Sequence, residues 1–159
     1  MSTFFIFKIM VVMMVILCGV HDMRHLTIPN KYVGVILGLF PVACFLNMSS
    51  LPLASHLIAM AIVFGISLIL YSLKLMGGGD SKMAAGVGLW VGLGDLGSFI
   101  VSMAITGGVL AAIALYFKQN NDKIPPYLLK YKWFNELQQK KSVVPYGVAI
   151  AVGTIIGLF

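Results

Sequence analysis

Apolar residues fill this chain in long unbroken runs, and polar residues gather in short intervals between them. A helix needs roughly 20 apolar residues to cross a hydrocarbon core. The runs therefore predict spans at about 4–20, 32–47, 54–73, 83–95, 97–117 and 143–159. The fourth is short and carries Gly86, Gly88, Gly92 and Gly94. It is expected to tilt, to thin the bilayer or to pack closely on a neighbour, since small residues let helices approach. The second is also near the lower length limit. Asn47 to Pro52 reads as a tight turn between the second and third spans. The polar intervals 21–31, 74–82 and 118–142 are then the loops of one transmembrane domain covering 1–159. The predicted fold class is all-α: a polytopic integral membrane protein of about six helices.

Composition narrows this further. Of 159 residues, 60% are hydrophobic and only 10% charged, with a mean hydropathy of +0.99. A soluble domain needs far more polar surface, so that class is excluded. No polar interval is long enough to hold a core of its own. Lys8 before an apolar run suggests a signal peptide, but Leu17-Cys18-Gly19 lacks the small-residue cleavage pattern, so the run is read as a retained span. If the segment after that span is cytoplasmic, all of the 11 Lys and Arg except Lys8 fall on the cytoplasmic side. This bias places both termini outside. The net charge of +6 thus speaks of orientation, and no nucleic acid partner is expected. The interval 118–142, with Tyr127, Tyr131, Trp133 and Phe134 among its lysines, is expected to lie on anionic phospholipid. Cys18 and Cys44 sit inside apolar runs, form no CxxC and read as packing residues.

Against this background two carboxylates stand out. Asp22 opens Asp22-Met23-Arg24-His25-Leu26-Thr27-Ile28-Pro29-Asn30, and Asp80 closes Gly77-Gly78-Gly79-Asp80 before Ser81 and Lys82. Each ends an apolar run, where an ionisable group is costly and marks a functional site by default. Two spans, out and back, separate them, so both return to one membrane face. Two carboxylates brought together share one proton, one ionised to take a proton from water and the other protonated to polarise a carbonyl. Gly77, Gly78 and Gly79 are expected to form a loop, free to adopt positive φ and to let a substrate backbone approach. Pro29 separates the first span from the second and leaves Asp22 at the negative end of its own helix. Arg24 and Lys82 read as positive-inside residues, able to hold lipid phosphate.

These residues resemble the type IV prepilin peptidases. The likeness rests on Asp22 with Ile28-Pro29-Asn30, on Gly77-Gly78-Gly79-Asp80-Ser81-Lys82, and on Val144-Pro145-Tyr146-Gly147-Val148-Ala149-Ile150 in the last span. It implies a GxGD-type membrane aspartic endopeptidase that needs no cofactor and no metal. Asp22 and Asp80 would be the catalytic pair, with Gly77, Gly78, Gly79, Lys82, Ile28, Pro29 and Asn30 as loop and support. Its substrates would be prepilins or pseudopilins with a short basic leader ahead of an apolar helix, cut at the cytoplasmic face of the bacterial inner membrane. Pilus assembly machinery is a further implied partner. Long members carry paired cysteines and an N-methyltransferase activity, and this chain has no CxxC. Its size resembles the short TadV/CpaA-like class acting on Flp-type pilins, with the archaeal preflagellin peptidases a close relative.

Two other readings use the same residues. His21-Asp22-Met23-Arg24-His25 is a near-miss to H-E-x-x-H, and two histidines four apart share a helix face. A catalytic zinc usually takes three protein ligands, and the remaining His56 is predicted near the opposite face. The other reading is a non-enzymatic transporter or assembly subunit using Asp22 and Asp80 as an ion site. It requires polar residues through the spans, where Ser67, Ser102 and Thr106 form only a thin path. Asp95 reads as a turn residue, and Asp122 and Glu136 as solvated loop charges.

Overall fold

All six apolar runs form helices in the computed structural model, which describes residues 3–46, 52–120, 124–139 and 144–159. They are α1 (Thr3–His25), α2 (Asn30–Leu46), α3 (Leu53–Ser72), α4 (Gly78–Val91), α5 (Leu96–Gln119) and α7 (Tyr146–Leu158), with a short α6 (Lys132–Gln138) in the last polar interval. No strand occurs among the described residues. Among those residues, α1, α3 and α5 are long and apolar enough to cross a membrane, while α2 and α7 are apolar but shorter. The 14-residue α4 is shorter than a span needs. The predicted turn at 47–52 lies outside the described residues except for Pro52, as do Asp122, Lys123, Lys140 and Lys141.

Proline sets three of the starts. Pro29, Pro52 and Pro145 each stand immediately before a helix, and the Pro29 and Pro52 carbonyls accept the Tyr32 and Ser55 amides at 3.1 and 2.9 Å. Proline suits that place because its φ is already helical and it has no amide to leave unpaired.

The helices form two groups. α3 packs on α4 with α2 alongside, and α7 packs on both α1 and α5. The glycine-rich α4 is the buried centre of the bundle. A Cβ on Gly88 would lie 2.9 Å from Val63 Cγ2 and 3.2 Å from the Ala59 carbonyl oxygen. Close packing is thus the use of Gly88. Trp90 fixes the far end of α4, its Nε1–H donating to the Ile36 carbonyl at 2.8 Å while Phe4 and Phe7 stack on its indole. The outer surface carries Leu, Ile, Val and Phe, as hydrocarbon contact requires.

The interval expected to lie on lipid also packs on the protein. Trp133, Phe134 and Leu137 share one face of α6 and are buried with Ala114 and Ile124, against which Met23 and Leu26 pack. Three large apolar groups at that spacing gain more from this contact than the flanking lysines gain at a headgroup surface. The interval folds back as a cap on the ends of α1 and α5.

Candidate active site

Asp22 lies in the last turn of α1. That helix stops because Leu26 turns to φ +53°, with its amide still donating to the Asp22 carbonyl at 2.7 Å. The Asp22 side chain is buried, and its Oδ2 accepts the Gly147 amide of α7 at 3.0 Å. Gly147 is the second residue of α7, where amides have no partner within the helix. The carboxylate therefore stands at the negative end of α1, as expected, and also at the positive end of α7. A side chain at 147 has no room: its Cβ would lie 2.9 Å from Asp22 Cβ and 3.0 Å from Oδ2. Gly19 meets the Gly147 carbonyl at 3.1 Å in the same way, so two glycines bring α1 and α7 together beside Asp22.

Asp80 occupies the first turn of α4 and reaches back to its own helix start. Its Oδ2 accepts the Gly77 amide at 3.1 Å, while the Ser81 amide donates to the Gly77 carbonyl at 3.0 Å. The carboxylate thus supplies one half of a capping box. Its other oxygen, Oδ1, is buried and has no hydrogen-bond partner among the described residues. Asp80 stands outside the three spanning helices. Burial and then the charge of Asp22 push its carboxyl up to about 7, against a smaller pull from the Gly77 amide.

The glycines act differently from the expectation. Gly77 caps α4 at φ −76°, Gly78 and Gly79 belong to its first turn, and none of the three has a positive φ. Their use is the absence of a side chain. A Cβ on Gly77 would strike Asp80 Oδ2 at 2.7 Å, and one on Gly79 would meet Ile28 Cβ and its carbonyl at 3.2 Å. The two sequence motifs are therefore in direct contact through Ile28 and Gly79. Asn30 and Lys82 add a long contact, Nζ to Oδ1 at 3.5 Å. Pro29 caps α2 and does not reach the carboxylates' cavity.

Both carboxylates line the same space. A cavity of about 590 Å³ is walled by Asp22, Asp80, Leu26, Tyr71, Lys74, Met76, Val144 and Tyr146, among others. A second, of about 270 Å³, shares Asp22, Leu26, Gly77 and Asp80 with it and extends to Thr27 and Ile28. The two non-glycine residues with positive φ among those described, Leu26 and Lys74, both line the larger cavity. Backbone held in that region is characteristic of functional sites. The sequence singles out neither the wall residues Leu26, Tyr71 and Tyr146 nor, above all, the Gly147 amide that anchors Asp22. The Val144–Ile150 segment contained the last two, but nothing in an apolar run marks one backbone amide as a donor.

The other candidate residues lie as follows. His21 Nδ1–H donates to the Thr27 carbonyl at 2.9 Å, and its ring stands 4.5 Å from that of His25. Among the described residues no three His, Cys, Asp or Glu side chains converge as a metal site would need. His56 is held at the opposite end of α4, Nδ1 to the Leu89 carbonyl at 2.8 Å. Ser102 and Thr106 bond back to their own helix, and Ser67 bonds to Phe64 and across to Ser81, so these hydroxyls are occupied in helix contacts.

Residues 9–115, more than half of the 159-residue chain, match the type IV leader peptidase family. No curated protein and no solved structure matches.

Proposed function

The chain belongs to the type IV leader peptidase family, and we propose that it is a membrane aspartic endopeptidase whose catalytic pair is Asp22 and Asp80. The observation that carries this is the shared cavity: two carboxylates from separate motifs, on different helices, line one space with room for an extended peptide. Asp80, with its carboxyl raised to about 7, is about half protonated at neutral pH, and it is the protonated fraction that enters the reaction. Asp22, oriented by the Gly147 amide, takes a proton from water. The hydroxide attacks the scissile carbonyl carbon as Asp80 delivers its proton to the carbonyl oxygen. Collapse of the resulting diol breaks the C–N bond. The proton held by Asp22 passes to the leaving amine, and a diol proton returns to Asp80.

The substrates in this reading are Flp-type prepilins and pseudopilins, each with a basic leader ahead of an apolar helix. Cleavage occurs at the cytoplasmic face of the bacterial inner membrane, in a single domain of about six helices. Anionic phospholipid holds the leader, since a basic leader gains nothing directly from a basic enzyme face. The pilus assembly machinery receives the product. Archaeal-type preflagellins are the alternative substrate of the same chemistry.

Cleavage of a co-expressed Flp-type prepilin by the wild type, Asp22→Asn, Asp80→Asn and the His21→Ala/His25→Ala double variant tests this. Loss with either Asn variant, with activity kept in the His variant and in chelator, is the expected result. Loss with the His variant and with chelator transfers the chemistry to zinc. A wild type that cleaves nothing points to the ion-site reading.

A further inference from the structure

A groove between α2, α3 and α4 holds neither carboxylate, although it borders the site at the start of α4, where Gly78 and Gly79 line both it and the smaller carboxylate cavity. Its deeper portion, about 160 Å³, lies where α2, α3 and α4 meet and is walled by Val33, Leu37, Met60, Phe64 and Gly86. A second portion, about 420 Å³, continues past Leu68 and Tyr71 towards the start of α4. The two share Phe64 and Lys82, so they form one channel with Lys82 at the junction. Among the described residues Lys82 is the one charged side chain lining either portion, and no carboxylate lines it.

The dimensions select the occupant. A helix is about 10 Å across and each turn fills several hundred Å³. The deep portion is too small for a helix to enter and suits part of an extended chain, the rest lying in the second portion. Gly86 leaves this space open without being needed for packing, because a Cβ there would make only ordinary contacts, 3.4 Å to Ile36 and 3.7 Å to Leu37. An apolar slot for an extended chain, ending at an exposed lysine whose neighbour Asn30 is neutral and 3.5 Å away, matches an acyl chain joined to a phosphate.

We propose that this groove is a binding site for an anionic phospholipid, with one acyl chain between α2, α3 and α4 and the headgroup phosphate at Lys82 Nζ. Tyr71 walls both the groove and the carboxylate cavity. A headgroup seated there lies one side chain away from Asp80. On the peptidase reading it presents negative charge to the leader beside the site of cleavage. The binding site itself does not depend on that reading.

Native mass spectrometry of the full chain in detergent, with phosphatidylglycerol or phosphatidylcholine added, tests the site without any substrate. The wild type is expected to retain phosphatidylglycerol preferentially. Lys82→Gln is expected to lower that retention about fivefold, the scale of one lysine at an anionic surface. Gly86→Leu, which fills the slot, is expected to lower retention of both lipids, and Leu37→Trp fills the same space should Gly86→Leu fail to fold. Lys130→Gln removes an exposed cation elsewhere and is expected to leave retention unchanged. Equal retention of the two lipids by wild type, or an equal loss from Lys130→Gln, overturns the proposal. Filled variants that keep their lipid overturn it too, as does competition by inorganic phosphate alone, which makes the groove a free-phosphate site. Lipid selection by a chain that cleaves nothing would sink only the peptidase reading, and cleavage without lipid selection would sink only this one.

Discussion

Gly147→Ala is the sharpest test of how Asp22 is held. The added Cβ would lie 2.9 Å from Asp22 Cβ, where ordinary contact begins at 3.4 Å. The atom it strikes is fixed to the α1 backbone, so no rotamer change relieves it, and α1 and α7 must part by about 0.5 Å. The Gly147 amide now 3.0 Å from Oδ2 then stands near the limit of a hydrogen bond. Overpacking costs about 1–3 kcal/mol, and a weakened bond to a buried carboxylate adds on the order of 1 kcal/mol. Misplacing a reacting group by a fraction of an ångström to 1 Å lowers kcat by about 10- to 100-fold. Gly157→Ala is the matched control. On the same helix, ten residues on and about 15 Å away along the axis, its Cβ would meet Phe99 Cβ at the same 2.9 Å. Leader cleavage in proteoliposomes and thermal unfolding in detergent separate the two outcomes. Both variants are expected to lose similar stability, with only Gly147→Ala losing the larger part of kcat. Equal losses of kcat in the two variants, or full activity in Gly147→Ala, would refute the anchoring of Asp22 by α7.

Four other predictions rest on the same geometry. The Asp80 carboxyl is raised, so the folded chain holds a proton that the unfolded chain releases near pH 3.9. Its contribution to stability is complete below that value and is lost as pH rises through about 7. Thermal unfolding of the wild type should fall across this window, and that of Asp80→Asn should fall less. Cleavage by the wild type should decline on the alkaline side of about 7, because the proton donated to the carbonyl is then gone; a flat rate profile there contradicts Asp80 as the acid. Trp90→Phe removes the 2.8 Å bond to the Ile36 carbonyl and should lower stability by about 1–2 kcal/mol, read by denaturant unfolding, with cleavage specificity unchanged. Trp133→Ala empties the centre of the second core, where the indole is only 2% exposed. Loosening of the cap by about 3–5 kcal/mol is expected, visible as faster trypsin cutting at Lys130 and Lys132.

Hydropathy made the helices legible, because transfer from water to hydrocarbon is a sum over residues that a run of Leu, Ile and Val displays directly. The start of α2 was legible for a different reason: Pro29 constrains its own backbone whatever surrounds it. The contact between Gly147 and Asp22 was not, since it joins residues 125 apart through a backbone amide that every residue but proline possesses. The role of Gly77 to Gly79 was half legible. Three glycines announce a backbone that must be bare, but only the neighbours decide whether bareness serves a positive φ or, as here, the approach of Ile28 and the Asp80 carboxylate. The cap escaped because α6 is only 7 residues long, too short to show a period, and its lysines dominate the local composition.

Each carboxylate makes its hydrogen bond inside its own half of the bundle. Asp22 is tied to α7 within the group of α1, α5 and α7, and Asp80 to Gly77 within the group of α2, α3 and α4. The seam between the halves passes between the two side chains. Prying the seam open would weaken the Asp22 repulsion that, after burial, raises the Asp80 carboxyl, before it strained either anchoring bond. The gap resembles the spacing of a capacitor's plates: on the peptidase reading, a membrane that squeezes the bundle would raise the proton affinity of Asp80, and one that slackens it would lower it.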